Sequence, residues 1–230
     1  AENFKLRRTK MGYFNPMVNL VRYADDFRIF CRNKSDAQNI LTAVTLWLKE
    51  RLKLDVSPEK TKIVNARKHN TEFLGFKTKL YSKGKNKYKV VSHMGNKALK
   101  NAKEKLVQQA HHIAKPPKNS TEAYEVMLYN TMVMGIQKYY SPATLISADC
   151  RILHRAVMTT FTNRLTSERG TRLVRKGRKL TDVEQKRYGK SKMLRFLAGS
   201  KEPIYPIGFI KNQPALQGLS LIHISEPTRP

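Results

Sequence analysis

Val18-Asn19-Leu20-Val21-Arg22-Tyr23-Ala24-Asp25-Asp26-Phe27-Arg28-Ile29-Phe30-Cys31-Arg32 sets two β-prone runs on either side of a short polar step, Ala24-Asp25-Asp26. That pattern predicts a β-hairpin with two carboxylates at its tip. Neighbouring carboxylates repel one another, and a divalent cation relieves the repulsion. Mg²⁺ prefers oxygen ligands, takes one or two carboxylates and leaves room for substrate phosphates. Two such ions can stabilise the attacking and leaving oxygens of nucleotidyl transfer. The plain alternative is an ordinary polar turn, which Asp-Asp alone would favour. The apolar flanks and the strongly positive chain around the pair weigh against it.

Lys and Arg number 45 against 17 Asp and Glu, a net charge of +28 in 230 residues. Such an excess predicts a polyanionic partner, nucleic acid first and a membrane surface second. The apolar runs fall short of the ~20 residues of a membrane span. Cys31 and Cys150 are too few for a disulfide framework and lie outside any CxxC pattern, which fits a reducing cytosol. The six histidines are scattered, which makes a zinc site improbable.

Outward from the hairpin, Ser35 with Gln38 forms a capping-box pattern. Ile40, Leu41, Val44, Trp47, Leu48 and Leu52 then predict a helix over about 36–53, ended by Asp55-Val56-Ser57-Pro58. A short strand at Lys62-Ile63-Val64 is expected next. Phe73-Leu74-Gly75-Phe76 and Tyr88 to Ser92 are strand-like, joined by the turn Ser82-Lys83-Gly84-Lys85-Asn86. From about 96 the period becomes helical. Leu99, Ala102, Leu106, Ala110 and Ile113 mark one helix, stopped at Pro116-Pro117. A second is capped by Ser120 and runs to about Tyr140, and a third holds Ile152, Leu153, Ala156, Val157 and Phe161. The fold class is therefore α+β: an antiparallel sheet with a helix over 1–93, followed by an all-helical part over about 96–165. Residues 166–195 carry eleven Lys/Arg against three Asp/Glu, interrupted by Gly170, Gly177 and Gly189. Ten lysines from Lys77 to Lys105 against the single acid Glu104 extend the positive face from the sheet onto the first of these helices.

Tyr23-Ala24-Asp25-Asp26 between apolar strands resembles the active-site motif of reverse transcriptases. Val21 to Phe27 is most similar to the group II intron class. Four further stretches follow in that family's order. Ser57-Pro58-Glu59-Lys60-Thr61-Lys62-Ile63 resembles its next block, and Phe73-Leu74-Gly75-Phe76 the block that holds the primer end. Tyr129-Asn130 through Gly135-Ile136-Gln137-Lys138-Tyr139-Tyr140 resembles the helical thumb, called the maturase or X domain. Lys201 to Ile210, with Pro203-Ile204-Tyr205-Pro206-Ile207-Gly208, resembles the segment closing that domain in some bacterial members.

The resemblance implies the end of a polymerase palm over 1–93 and a thumb with a basic segment over 96–218, in the bacterial cytoplasm. It implies an RNA-directed DNA polymerase that serves intron splicing and retrohoming, with intron RNA template, DNA primer or target and dNTPs as partners. The other reading is a non-catalytic maturase that holds intron RNA, since phosphate neutralisation alone supplies affinity. On the first reading Asp25 and Asp26 bind Mg²⁺, and Tyr23 and Ala24 lie beneath the primer terminus. Lys60 sits near the triphosphate, and Phe73, Leu74, Gly75 and Phe76 position the primer strand. Arg172, Arg175, Lys176, Arg178 and Lys179 are the candidate nucleic-acid contacts of the basic block. Tyr139 and Tyr140 could stack on bases, although helical aromatics are more often core.

The family takes a third carboxylate and its fingers from upstream of the Tyr-Ala-Asp-Asp turn, and residues 1–24 hold no Asp and only Glu2. Asp36, Asp55 and Asp149 fall at a helix start, a helix end and the thumb. The chain by itself is therefore expected not to polymerise DNA. Leu221 to Pro230 resembles translated adaptor sequence, so residues 219–230 are expected to be a non-native tail.

Overall fold

The computed structural model describes residues 7–8, 14–15, 18–84, 87–168 and 170–210. Over them the chain is mixed α and β, with five helices and small antiparallel sheets. It divides into two packing units, one up to Asn65 and one from Ala66. The expected tail at 219–230 lies outside the described residues.

In the first unit β1 (Arg7–Arg8) pairs with β2 (Phe14–Asn15), and β3 (Val18–Tyr23) pairs antiparallel with β4 (Asp26–Cys31). Helix α1 (Lys34–Leu52) follows. It starts slightly earlier than the sequence suggests, because the cap is Asn33 rather than Ser35. Asn33 Oδ1 accepts from Asp36 N at 2.7 Å, and its Nδ2 donates to Asp36 Oδ2 at 2.8 Å. The capped turn thereby gains an acidic group where the helix dipole favours one. At the other end Lys53 turns left-handed at φ 56° and Leu54 N returns to Leu48 O at 3.1 Å, closing the helix as a Schellman-type turn.

The strand expected at Lys62-Ile63-Val64 does not form, and Ile63 and Val64 are exposed. A β-prone tripeptide with no neighbouring strand has no ladder to join. From Asn19 to Asn65 no residue is buried. Leu20 is 61% and Phe30 56% exposed, and Trp47, Leu46 and Val21 are exposed as well. The alternation of β3 and β4 and the apolar stripe of α1 therefore make local structure without making a core.

The second unit has one. β5 (Thr71–Phe73), β6 (Phe76–Ser82) and β7 (Tyr88–Met94) form an antiparallel sheet in sequence order. Helices α2 (Asn96–Ala114), α3 (Glu122–Tyr140) and α4 (Ile146–Leu165) bury Leu106, Ile113, Val126, Val133, Leu153, Val157 and Phe161. Fully burying each such side chain stabilises by about 1.5–3 kcal/mol. The three helices agree with the sequence reading, with two shifts. The cap of α3 is Thr121, which accepts from Tyr124 N, rather than Ser120. Helix α4 begins at Ile146, six residues before Ile152, because the buried stripe Ile146–Cys150–Leu153–Val157–Phe161 also includes a carboxylate, Asp149. Asp149 is 5% exposed and accepts from Met94 N at 2.8 Å and contacts His93 Nδ1 at 3.1 Å. Through it and buried Met94, β7 is fastened to α4. The sheet therefore packs with the helices, although the change of secondary structure falls at 93–96.

Beyond α4 the basic stretch is structured. β8 (Thr166–Ser167) pairs with β9 (Gly170–Thr171). β10 (Leu173–Val174), β11 (Arg195–Leu197) and β12 (Pro203–Ile204) form a second sheet, with helix α5 (Asp182–Tyr188) between β10 and β11. Gly177 is needed for close approach, since a Cβ there would collide with the Phe196 ring. The amides of α3 hold this region down. Asn130 Nδ2 donates to Pro203 O and its Oδ1 accepts from Tyr205 N, both at 2.8 Å. One turn-pair later Gln137 Nε2 reaches Pro206 O, Ile207 O and Phe209 O at 3.1–3.2 Å. Its Oε1 accepts from Tyr188 OH at 2.8 Å.

Candidate active site at a hairpin tip

The register of β3 and β4 pairs Tyr23 with Asp26, so Ala24 and Asp25 are the two loop residues. Ala24 has φ 53°. A positive φ at the first loop position is the pattern of a type II′ hairpin, where glycine is the favoured residue. Alanine there costs about 1 kcal/mol, and such strain clusters at functional sites. Ala24→Gly is accordingly expected to stabilise the hairpin by about 1 kcal/mol, read as slower amide exchange along β3 and β4. Unchanged or faster exchange would remove the strain from the account.

Arg22 Nε donates to Ala24 O at 2.7 Å, which pins the tip from below. Its side chain is the functional contribution that sequence reading missed, and a basic residue just before the motif was the only signal. Asp25 in the loop and Asp26 at the start of β4 are both exposed, as are Tyr23 and Ala24. A pair of exposed, adjacent carboxylates suits Mg²⁺, which takes one or two carboxylates alongside phosphate and water. Among the described residues no three Asp, Glu, His or Cys side chains gather as they do around a fully enclosed metal. The two carboxylates stand side by side, open to solvent. Lys60 lies in the same unit, exposed on a turn closed by Thr61 N to Ser57 O at 3.1 Å.

Residues 3–78 match the family model of reverse transcriptase (RNA-dependent DNA polymerase). No curated protein matches the chain. The reverse-transcriptase match takes in the hairpin, α1, Lys60 and the Phe73–Phe76 turn, about a third of the chain. Helices α2, α3 and α4 and the basic stretch lie beyond it.

Phe73-Leu74-Gly75-Phe76 is a tight turn rather than one strand. Phe73 and Phe76 pair across it, and Leu74 and Gly75 have φ 50° and 76°. Both loop residues left-handed is the type I′ pattern. The turn is gripped from α3 and from Gly95, the N-cap of α2. Tyr139 OH donates to Leu74 O at 2.9 Å, and Gly95 N donates to Gly75 O. Phe76 stacks on Tyr139 at 5.6 Å between centroids and meets Tyr140 at 5.1 Å. A Cβ on Gly75 would lie 2.9 Å from Tyr140 OH. Tyr140 is half-buried against the core, the blander of the two roles open to it in the sequence, whereas Tyr139 holds the turn while staying 54% exposed.

In the basic stretch the five candidate cations divide. Arg175, Lys176 and Lys179 are exposed. Arg172 is ion-paired with Glu122. Arg178 bonds both Glu184 oxygens at 2.8 and 2.9 Å and Glu202 at 2.9 Å. Glu184, 8% exposed, also closes a capping box with Thr181 and accepts from Tyr205 OH at 2.8 Å. The Arg178 hydrogen bonds, with those from Thr181 and Tyr205, hold its carboxyl at about 2 against an ordinary 4.5. A depressed carboxyl stabilises fully above its unfolded value and loses that stabilisation as pH falls through the folded one. The second unit should therefore lose on the order of 2–3 kcal/mol between about pH 5 and pH 2 through this group. Glu184→Gln should flatten that part of a urea-melt pH profile, and an unaltered slope would contradict the assignment.

Proposed function

We propose that the chain is part of an RNA-directed DNA polymerase of the group II intron type, with the hairpin tip as its catalytic edge. The observation that carries the reading is the exposed Asp25–Asp26 pair on a strained two-residue hairpin, inside the reverse-transcriptase match at 3–78. Bound Mg²⁺ would supply charge neutralisation at the transferring phosphate and a more nucleophilic primer hydroxyl. The chain's own part is to present two carboxylates on a short rigid tip, kept in place by Arg22 at the Ala24 carbonyl. Small Ala24 leaves room above the tip for a primer terminus. Lys60 offers a positive charge for triphosphate, and the clamped Leu74–Gly75 turn offers backbone for holding a primer strand. Arg175, Lys176 and Lys179 are the exposed cations of the basic stretch for intron RNA. The setting proposed is the bacterial cytoplasm; among the described residues no helix is long and apolar enough to cross a membrane.

The test is primer extension by the intact polymerase on an RNA template with dNTPs. Extension that stops on chelation and returns with Mg²⁺ supports the reading. Intron-RNA binding with no extension under any divalent metal would leave the splicing maturase as the function instead.

A further inference from the structure

The β5–β7 sheet has two unlike faces. Phe76 and Met94, paired in register, face the helices: Met94 is buried in the core and Phe76 packs against it. The alternate residues Lys77, Lys79 and Tyr81 of β6 pair with His93, Val91 and Lys89 of β7 and make up the other face. There Asn70, Lys77, Lys79, Tyr81, Val91 and His93 line a shallow cleft of about 110 Å³. Tyr81 is 50% exposed, with Lys79 Nζ 5.4 Å from its ring centroid and Lys89 opposite it in register. Glu72, the acid paired with Lys77, is directed to the start of α2, where it accepts from Asn96 N at 3.2 Å. Lys77 Nζ itself donates to Asn96 Oδ1 at 2.8 Å, and His93 is held by Asp149. The remaining cations of this face are Lys79, whose ammonium lies over the Tyr81 ring, and Lys89, exposed opposite Tyr81 on β7.

We infer that this sheet face, Lys79–Tyr81–Lys89 over the Asn70–His93 cleft, is a binding surface for single-stranded nucleic acid. A base stacks on the Tyr81 ring while the flanking ammonium groups neutralise the phosphates on either side. Residues two apart on a strand lie about 7 Å from each other, so one strand presents cation and ring in series along a groove. Stacking on an exposed aromatic combined with a cationic track is how sequence-tolerant single-strand sites are built. A duplex keeps its bases inside and gives the ring nothing to stack on. The face is built from other residues than the hairpin tip and the 172–179 cations, and it does not depend on the polymerase reading.

The experiment is fluorescence anisotropy of the full 230-residue chain with labelled single-stranded RNA, single-stranded DNA and duplex of about twenty nucleotides. Salt is varied between about 50 and 200 mM. Tyr81→Ala should weaken single-strand binding about tenfold, with Tyr81→Phe within about twofold of the parent and duplex affinity unmoved by either. Lys79→Gln with Lys89→Gln should lower the slope of log affinity against log salt by roughly 1 to 2. All three sites are on the outer face, so each variant should melt with the parent; Tyr81→Phe guards against a fold defect. Equal affinity and slope in every variant would overturn the proposal and assign the binding to the basic stretch. So would a duplex that binds more tightly than the single strand and shares the dependence on Tyr81. RNA against DNA preference names the strand bound. A failed primer-extension assay leaves these outcomes unaffected, so the two readings fall separately.

Discussion

Exchanging Asp25 and Asp26 together for asparagine is expected to cut cDNA synthesis by the intact polymerase at least about 10³-fold, the equivalent of about 4 kcal/mol at the transition state. The argument is electrostatic. Asparagine keeps the size and the hydrogen-bonding oxygen but removes both charges that draw divalent cations to the tip. The substitution leaves the backbone alone: the strained residue is Ala24 and the pin is Arg22, neither of them altered. RNA affinity should stay within about twofold, or rise slightly, because two negative charges are taken away from a phosphate partner. Synthesis that remains within tenfold of the parent would defeat the catalytic assignment. Synthesis and RNA affinity lost together would point to a folding defect, and the double variant's melting profile tells the two apart.

The largest structural effect is expected at Gln137. Its amide nitrogen serves the carbonyls of Pro206, Ile207 and Phe209, and its oxygen takes the Tyr188 hydroxyl. Two hydrogens among three carbonyls means that at least one contact is shared. Gln137 is only 5% exposed and Pro206 and Ile207 are buried, so the groups left behind have little access to bulk water when it is lost. Gln137→Leu preserves most of the volume and removes every hydrogen bond, which should cost on the order of 3–4 kcal/mol. For a unit of this size that lowers Tm by roughly 10 °C. Lys138→Ala, one residue on, supplies the surface comparison and should stay within about 0.5 kcal/mol. A loss below about 1 kcal/mol for Gln137→Leu would mean that the 203–209 segment is held by its apolar contacts alone.

Gln137 also shows what was legible beforehand. The stretches Tyr129–Tyr140 and Pro203–Gly208 were both visible as motifs, and the reason they occur together was not. Their link is side-chain amide to backbone carbonyl over about 70 residues, and periodicity carries no trace of such a bond. The helices were readable because their buried stripes repeat at helical spacing; α4 was read short because Asp149 interrupts its stripe. Capping chemistry misled by one or two residues, since Asn33 and Thr121 were neighbours of the residues expected to cap. At the tip, the two carboxylates were plain in the sequence, while the φ of Ala24 and the Arg22 pin were not. Among the basic residues, charge alone could not divide Arg178, tied to two glutamates, from Arg175, which is exposed.

The want of a buried residue between Asn19 and Asn65 has a calorimetric consequence. Heat capacity of unfolding follows the apolar surface released, and residues 18–65 have little left to release. Among the described residues, melting should therefore register only the portion from Ala66 to Ile210, with a heat-capacity change of about 2 kcal/mol/K rather than the roughly 2.7 of a globule spanning 19–210. The urea m-value should fall short in the same proportion. The β3–β4 hairpin would then be thermodynamically silent, changing its environment without appearing in the transition at all.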